Sequence, residues 1–278
     1  IIPYARGRVR SRAKNDVVEE VRTLAANGYK EIVLTGIHLS SYGIDFEKEN
    51  GETDDLLSLI RAVHEVDGIE RIRLGSLEPR IITEEFADAL ANLPKVCAHF
   101  HLSLQSGCDA TLKRMNRRYD AAEYEEKCHI LRKYFKNPAL TTDVIVGFAG
   151  ETEEDFQESK NFVDRIDFYE THIFKYSKRE GTRAATMPDQ VDEQEKTRRS
   201  NIMLEMNAEK MQKYEQLWMG QDVEVLFEEI TEKDGIRYAS GHTKEYLRIM
   251  HPCGDEPEDK WINQIKTITL MDNSQIIH

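Results

Sequence analysis

The sequence predicts an α/β protein: a parallel sheet or barrel of βα units, followed by a small antiparallel β-barrel. Three observations carry this. Short β-branched runs alternate with amphipathic helical patterns as far as Tyr176, the rhythm of right-handed βα units. The stretch TTDVIVGFAGETEEDF, from Thr141 to Phe156, shows one such unit whole. An apolar run through Val144, Ile145 and Val146 stops at a corner bounded by Gly147 and Gly150, and Thr152 caps a helix whose first turn holds Glu153, Glu154 and Asp155, acids that suit the positive end of the helix dipole. Beyond Met187 and Pro188 the pattern changes to one long charged helix and then to short alternating strands.

In chain order, Val17, Val18, Val21, Leu24 and Ala25 recur at helical spacing, Gly28 ends that helix, and Glu31 to Thr35 reads as a strand stopping at Gly36. Leu56 to Val66 is a second helix, followed by the strand Arg71 to Leu74 and the turn Ser76-Leu77-Glu78-Pro79-Arg80. Thr83 caps a third helix through Leu93, and Phe100 to Leu104 is the next strand, ending at Gln105-Ser106-Gly107. Residues 109–136 are helical in two pieces; the unit at Thr141 follows, then a last strand from Thr171 to Tyr176. This makes five strands, with room for one more ahead of Ile1. Gln194 to Met219 is a long helix with Ile202, Met206, Met211, Tyr214 and Trp218 as a packing face. Val223 to Phe227, Arg237 to Ala239, Tyr246 to Met250 and Ile265 to Leu270 are the strands of the small barrel. Residues 1–190, 191–220 and 221–278 are therefore expected to be a core, a connecting helix and a second module.

Composition sets limits on function. No apolar run approaches the roughly 18 residues that span a bilayer, and no secretory signal is present, so a cytoplasmic protein with no membrane partner is expected. Cys97, Cys108, Cys128 and Cys253 lie far apart, with no pair at metal or redox spacing. A net charge of -13 argues against nonspecific grip on nucleic acid by the chain as a whole. One basic arm opens the chain, Arg6, Arg8, Arg10, Arg12 and Lys14, whose alternation puts several cations on one side of an extended segment. Such arms are also commonly just solvated.

Polar residues gather where a parallel sheet places a ligand, at the carboxyl ends of its strands. Glu78, Gln105 and Asp143 each sit near a strand end, and Arg117 follows in KRMNRRY. Carboxylate, amide and guanidinium together can bind an amino-acid zwitterion and ribose hydroxyls. Each alone reads better as a surface or salt-bridge residue, whereas the set together reads as a site.

The stretches IIPYARGRVRSR, EIVLTGIHLSSYGID, LGSLEPRIIT, HLSLQSGCDATLKRMNRRY, DVIVGFAGETEEDF and FKYSKREGTRAA, in this order over residues 1–187, resemble the methylthiotransferase family of radical S-adenosylmethionine enzymes. The resemblance implies a partial (βα)6 TIM-like barrel, its first strand and cluster loop missing, plus a C-terminal TRAM-like antiparallel β-barrel. It implies that Glu78, Gln105, Arg117 and Asp143, with Ser76 in the same turn as Glu78, bind S-adenosylmethionine. Gly36, Gly147 and Gly150 would let the backbone approach that cofactor, since they carry no Cβ. Two 4Fe-4S clusters belong to the family's intact enzymes. The CxxxCxxC loop of the radical-generating cluster is expected just ahead of the residues matching Ile1, and the four cysteines present do not substitute at their spacing. The chain alone is therefore expected to be inactive.

Within the family, GIHLSSYGID resembles members acting on N6-threonylcarbamoyladenosine beside the anticodon of tRNA. Members acting on isopentenyladenosine show Gly-Gln-Asn at Gly36-Ile37-His38, and those acting on ribosomal protein S12 show Gln-Asp there. His38, Ser40 and Ser41 become candidate substrate-side residues, beside Arg6, Arg8, Arg10 and Arg12 for RNA. The implied partners are the tRNA anticodon loop and an electron donor. Residues 221–278 hold six Lys and Arg against twelve Asp and Glu, which suits RNA only if Arg237, Lys244 and Arg248 cluster on one face. The other readings are the two sibling substrates, a noncatalytic α/β module that uses the arginine arm for RNA or protein, and a barrel enzyme for phosphate-bearing substrates.

Overall fold

Five short strands carry the first two thirds of the chain: β1 (Glu31–Leu34), β2 (Arg71–Leu74), β3 (His99–His101), β4 (Ala139–Val146) and β5 (Glu170–Lys175). The computed structural model describes residues 7–46 and 54–278, so Arg6 lies outside the described residues. β1 pairs β2, and β3, β4 and β5 pair in order, all parallel, while bridges from Ile72 to Val96 and from Leu77 to Leu102 join the two groups. Strand order thus rises one step at a time. That is the winding of a barrel, since a doubly wound sheet reverses its order part-way.

Among the described residues, seven helices accompany the strands: α1 (Lys14–Ala26), α2 (Leu56–His64), α3 (Glu84–Ala91), α4 (Asp109–Arg114), α5 (Ala121–Tyr134), α6 (Glu153–Ile166) and α7 (Glu193–Gln216). Five of their starts have one cause. Asp55, Thr83, Asp120, Thr152 and Asp192 each accept a hydrogen bond from the backbone N–H three residues on, a cap that stabilises a helix by about 1 kcal/mol. At Thr152 the cap is reciprocal, because Asp155 accepts from the Thr152 N–H at 3.1 Å. The inward faces of α2, α5 and α6 bury Ile60, Val63, Tyr124, Leu131, Phe156 and Phe162 against Ile72, Phe100 and Leu102 of the strands.

The C-terminal module is an antiparallel sheet in the order β8-β7-β6-β9, built from β6 (Asp222–Lys233), β7 (Ile236–His242), β8 (Arg248–Pro252) and β9 (Ile265–Thr269). A bridge from Ile249 to Ile276 brings the last residues onto the other side of β8, which carries the sheet most of the way round. Gly241 is required here, since a Cβ would lie 1.9 Å from the Leu226 carbonyl oxygen beside an irregularity in the β6–β7 register. Tyr246 does not begin β8 as the alternation predicts. It stands in the β7–β8 turn with φ of 71°, a left-handed residue that lets the turn reach back to the parallel strands.

That turn closes the amino-terminal end of the parallel strands. Arg71, fully buried, donates to the carbonyls of His242 and Glu224 at 2.8 Å each. Arg73 donates to the carbonyls of Thr243 and Lys244 and forks onto Glu31 at 2.8 and 3.2 Å. Tyr246 stacks between His99 and His242, 4.8 and 4.6 Å away, with the Arg73 guanidinium 4.7 Å from its ring centre. The predicted packing face of α7 also bridges both parts, since Ile202 and Met206 join the first core and Met211, Tyr214 and Trp218 the second.

Arg71→Met keeps the apolar stem but strands two buried carbonyls, so it should lower unfolding free energy by about 3 kcal/mol. The check is a urea midpoint compared with Arg22→Met, which breaks an exposed ion pair to Glu19 and should move it little. Equal shifts would show that the inter-module contact contributes nothing.

Candidate functional site

Where β1 and β2 end, four polar side chains meet. The Glu78 N–H donates to Ser40 Oγ at 2.8 Å, Glu78 Oε1 lies 3.4 Å from His38 Nε2, and Ser41 Oγ bonds to His38 Nδ1. Leu39, buried beneath the short helical turn Leu39–Ser41, fixes this loop. Residues Gly7 to Ala13 run beside it, with Ser11 bonded to Asp45 and Tyr42 Oη donating to the Arg12 carbonyl. Arg8 and Arg10 are exposed, whereas Arg12 is ion-paired with Glu20. Ser76 is exposed directly after β2, and Gly36 after β1.

A second group lies on β3, β4 and β5, on the face turned into the barrel. His101 Nε2 is 3.2 Å from Asp143 Oδ2, its Nδ1 is 3.0 Å from Thr141 Oγ1, and its ring stacks on His172 at 5.6 Å. Burial pushes the Asp143 carboxyl up, yet the His101 hydrogen bond and the charges of His101, His172 and Arg117 outweigh it, so its pKa falls below the ordinary carboxylate value. Deeper, burial chiefly, with Arg73 and the neighbouring histidines, pushes His99 down to about 3. No hydrogen bond joins the Glu78 and Asp143 groups among the described residues.

Gln105 takes a positive φ of 73° and extends the β3 pairing, its N–H donating to the Asp143 carbonyl at 2.8 Å and its carbonyl accepting from Ile145 N–H. Arg117 is exposed and lines a cavity of about 850 Å³ with Ile145, Phe148 and Tyr176. Gly147 and Gly150 have φ of 71° and 78°. At Gly147 a Cβ would also fall 2.3 Å from Lys196 Cγ on α7, so helix packing already demands glycine there. Its N–H donates to Glu151, which is held by the buried Arg199 at 2.7 Å.

The donor set suits S-adenosylmethionine. Glu78 and Asp143 keep accessible carboxylates for ammonium and hydroxyl groups, and Arg117 makes no ion pair among the described residues, so it is free for a carboxylate. The thiols do not suit an iron–sulfur cluster. All four cysteines are buried and free, and burial pushes Cys97 and Cys108 up to about 11 and Cys128 to about 12, the reverse of a thiolate ligand. Among the described residues, the one group at metal-ligand spacing is His101, Asp143 and His172. No helix among them is long and apolar enough to cross a membrane.

The profile of the Radical SAM superfamily matches residues 1–163. The chain belongs to that superfamily. Its members use S-adenosylmethionine and 4Fe-4S clusters, and the relatives agree with the methylthiotransferase branch that the motifs indicate. A tRNA-2-methylthio-N(6)-dimethylallyladenosine synthase of Thermoanaerobacter sp. (strain X514) is 42% identical over 92% of this chain and 53% of its own length. The threonylcarbamoyladenosine tRNA methylthiotransferase MtaB of Bacillus subtilis (strain 168) is 39% identical over 90% of this chain and 55% of its own. The chain thus spans about half the length of these relatives. Among solved structures, the radical SAM enzyme coproporphyrinogen III oxidase (HemN) of Escherichia coli overlaps 56% of this chain and 36% of its own, with a TM-score of 0.46 at 18% identity.

Sequence reasoning missed His99, His101, His172 and Tyr246. The alternation His99-Phe100-His101 was the available signal, since residues two apart on a strand share a face. His99 yields a pH prediction. Its folded pKa of about 3 lies below the ordinary 6.5, so the unfolded chain takes up the proton first. Its stabilising effect is complete above pH 6.5 and fades as pH falls toward 3, by roughly 1.4 kcal/mol per pH unit at most. Urea midpoints at pH 7 and 5 should therefore fall more steeply for the wild type than for His99→Phe; parallel lines would refute the assignment.

Proposed function

We propose that this chain is the cofactor- and substrate-binding part of a tRNA methylthiotransferase acting at C2 of N6-threonylcarbamoyladenosine beside the anticodon. In this reading residues 1–190 are the radical SAM core, 191–220 the connecting helix and 221–278 a TRAM-like module. The observation that carries the substrate choice is the bonded set His38, Ser40, Ser41 and Glu78 where β1 and β2 end. A threonylcarbamoyl group brings a carboxylate and a hydroxyl, which the Ser40 and Ser41 hydroxyls and the His38 imidazole of this ledge can bond. A dimethylallyl group brings neither. When bound, S-adenosylmethionine and the family's two 4Fe-4S clusters would supply the radical chemistry at C2, with the sulfur coming from the second cluster and the methyl group from another S-adenosylmethionine. The chain's own residues bind and orient: Arg117 and Glu78 the aminoacyl end, Asp143 and Gln105 the ribose, with Ser76, Gly36, Gly147 and Gly150 around them. The electron donor acts through the intact enzyme.

A second reading, dimethylallyladenosine as substrate, is favoured by the name of the Thermoanaerobacter relative. Mass spectrometry of tRNA nucleosides from source cells with and without the gene separates them. Loss of 2-methylthio-N6-threonylcarbamoyladenosine supports the first, loss of the dimethylallyl product the second, and an unchanged profile removes tRNA methylthiolation altogether. Independently, Asp143→Ala and Arg117→Ala should each weaken S-adenosylmethionine binding about 10-fold or more, since each removes a charge-assisted bond. Equilibrium dialysis against the radiolabelled cofactor reads this; unchanged affinity in both variants would refute the site.

A further inference from the structure

The chain carries 38 Lys and Arg against 51 Asp and Glu, so a polyanion meets repulsion over most of its surface. Besides the basic arm that opens the chain, two loops are exceptions. Residues 113–118 read KRMNRR and residues 175–183 read KYSKREGTR, together eight cations against the single acid Glu180. Cations elsewhere are largely neutralised: Arg198 and Arg199 by Glu195 and its neighbours, Lys210 and Lys213 by Asp167. On the C-terminal sheet Arg237, Lys244 and Arg248 face Glu258, Glu224 and Glu229 and form no free patch. By contrast Lys113, Arg117, Arg118, Lys178, Arg179 and Arg183 are exposed and make no ion pair among the described residues.

The fold brings these loops together. Lys113 and Arg117 from one and Tyr176 and Arg183 from the other line the same cavity of about 850 Å³. Between them its wall is apolar and aromatic, with Phe148 and Tyr176 edge to face at 4.9 Å and Met115 and Met187 beside them. The Tyr176 hydroxyl is buried there without a partner. Unpaired cations around an aromatic hollow match single-stranded RNA, which offers phosphates and stackable bases together. An acidic peptide would meet the cations and leave the hollow unfilled.

We infer that the two loops are the surface on which an RNA strand docks, its phosphates on Lys113, Arg118, Lys178, Arg179 and Arg183 and one unstacked base over the cavity between them. Naming RNA as the polyanion rests on the proposed function. Docking here sets the strand beside Ile145 and Phe148, at the carboxyl end of β4, and makes the acidic C-terminal sheet secondary for affinity.

The test compares the full chain with its Lys113→Gln, Lys178→Gln, Arg179→Gln and Arg183→Gln quadruple variant, binding a labelled, unmodified anticodon stem–loop RNA over a range of salt. Arg117 is left alone because it belongs to the cofactor site. Affinity should fall about 10- to 100-fold near 0.1 M salt, and the slope of log affinity against log salt should flatten by about 2 to 3, at roughly 0.7 for each phosphate no longer neutralised. A Lys233→Gln, Lys260→Gln and Lys266→Gln variant of the C-terminal sheet should bind as wild type. Loss in that variant alone, or wild-type binding by the quadruple variant, overturns the inference and leaves the proposed function standing. Polyglutamate competing as well as unlabelled RNA also overturns it, in favour of an acidic protein partner. An unchanged nucleoside profile in cells, with RNA still held by these loops, would instead overturn the proposed substrate and keep the docking surface.

Discussion

Two guanidinium groups inside the barrel constrain the molecule. Arg71 and Arg73 sit on the inward face of β2, and a buried charge is tolerated only when paired and hydrogen-bonded. Glu31 on β1 supplies part of the compensation. The rest comes from carbonyls of Glu224, His242, Thr243 and Lys244, which belong to the C-terminal module. The parallel strands therefore cannot satisfy their own interior without that module in place. Its turn, led by Tyr246 against His99, seals one end and leaves the carboxyl ends of the strands as the open end.

The opposite end is set by a second buried pair. Glu151 and Arg199 join the corner after β4 to α7, with the Gly147 N–H on the same carboxylate. Lys196, one turn earlier, packs so closely on Gly147 that no side chain fits there. The corner is thus shaped by α7 from behind. The family resemblance implies cofactor approach at these glycines; for Gly147, conformation and this packing are sufficient physical reasons by themselves.

Much of this is legible in the sequence because it is local. The caps at Thr83 and Thr152, the strand Arg71 to Leu74 and the two-piece helix after Gln105 follow from short-range hydrogen bonding and periodicity. What escapes is tertiary. Nothing near His101 in sequence announces His172 or Asp143, which parallel pairing across β3, β4 and β5 brings together. Tyr246 reads as the start of a strand because alternation cannot sense a left-handed residue. A shared basic face of Arg237, Lys244 and Arg248 fails for a related reason: each has an acid within reach that only the fold reveals.

His38 joins the two levels of the site. Its Nε2 faces Glu78, a residue tied by resemblance to the cofactor, while its Nδ1 holds Ser41 on the loop tied to the substrate. A substrate carboxylate arriving at this loop would meet Glu78 of like charge, and the His38 imidazole, 3.4 Å from that carboxylate, is the side chain placed between the two. An apolar substituent makes no such demand and leaves the set bonded to itself. In the proposed reading, discrimination between the two modified adenosines depends on whether exchanging these internal bonds for substrate bonds is favourable. A site built on polar groups can reject an analogue lacking the matching polar group far more strongly than an apolar pocket rejects an extra hydroxyl.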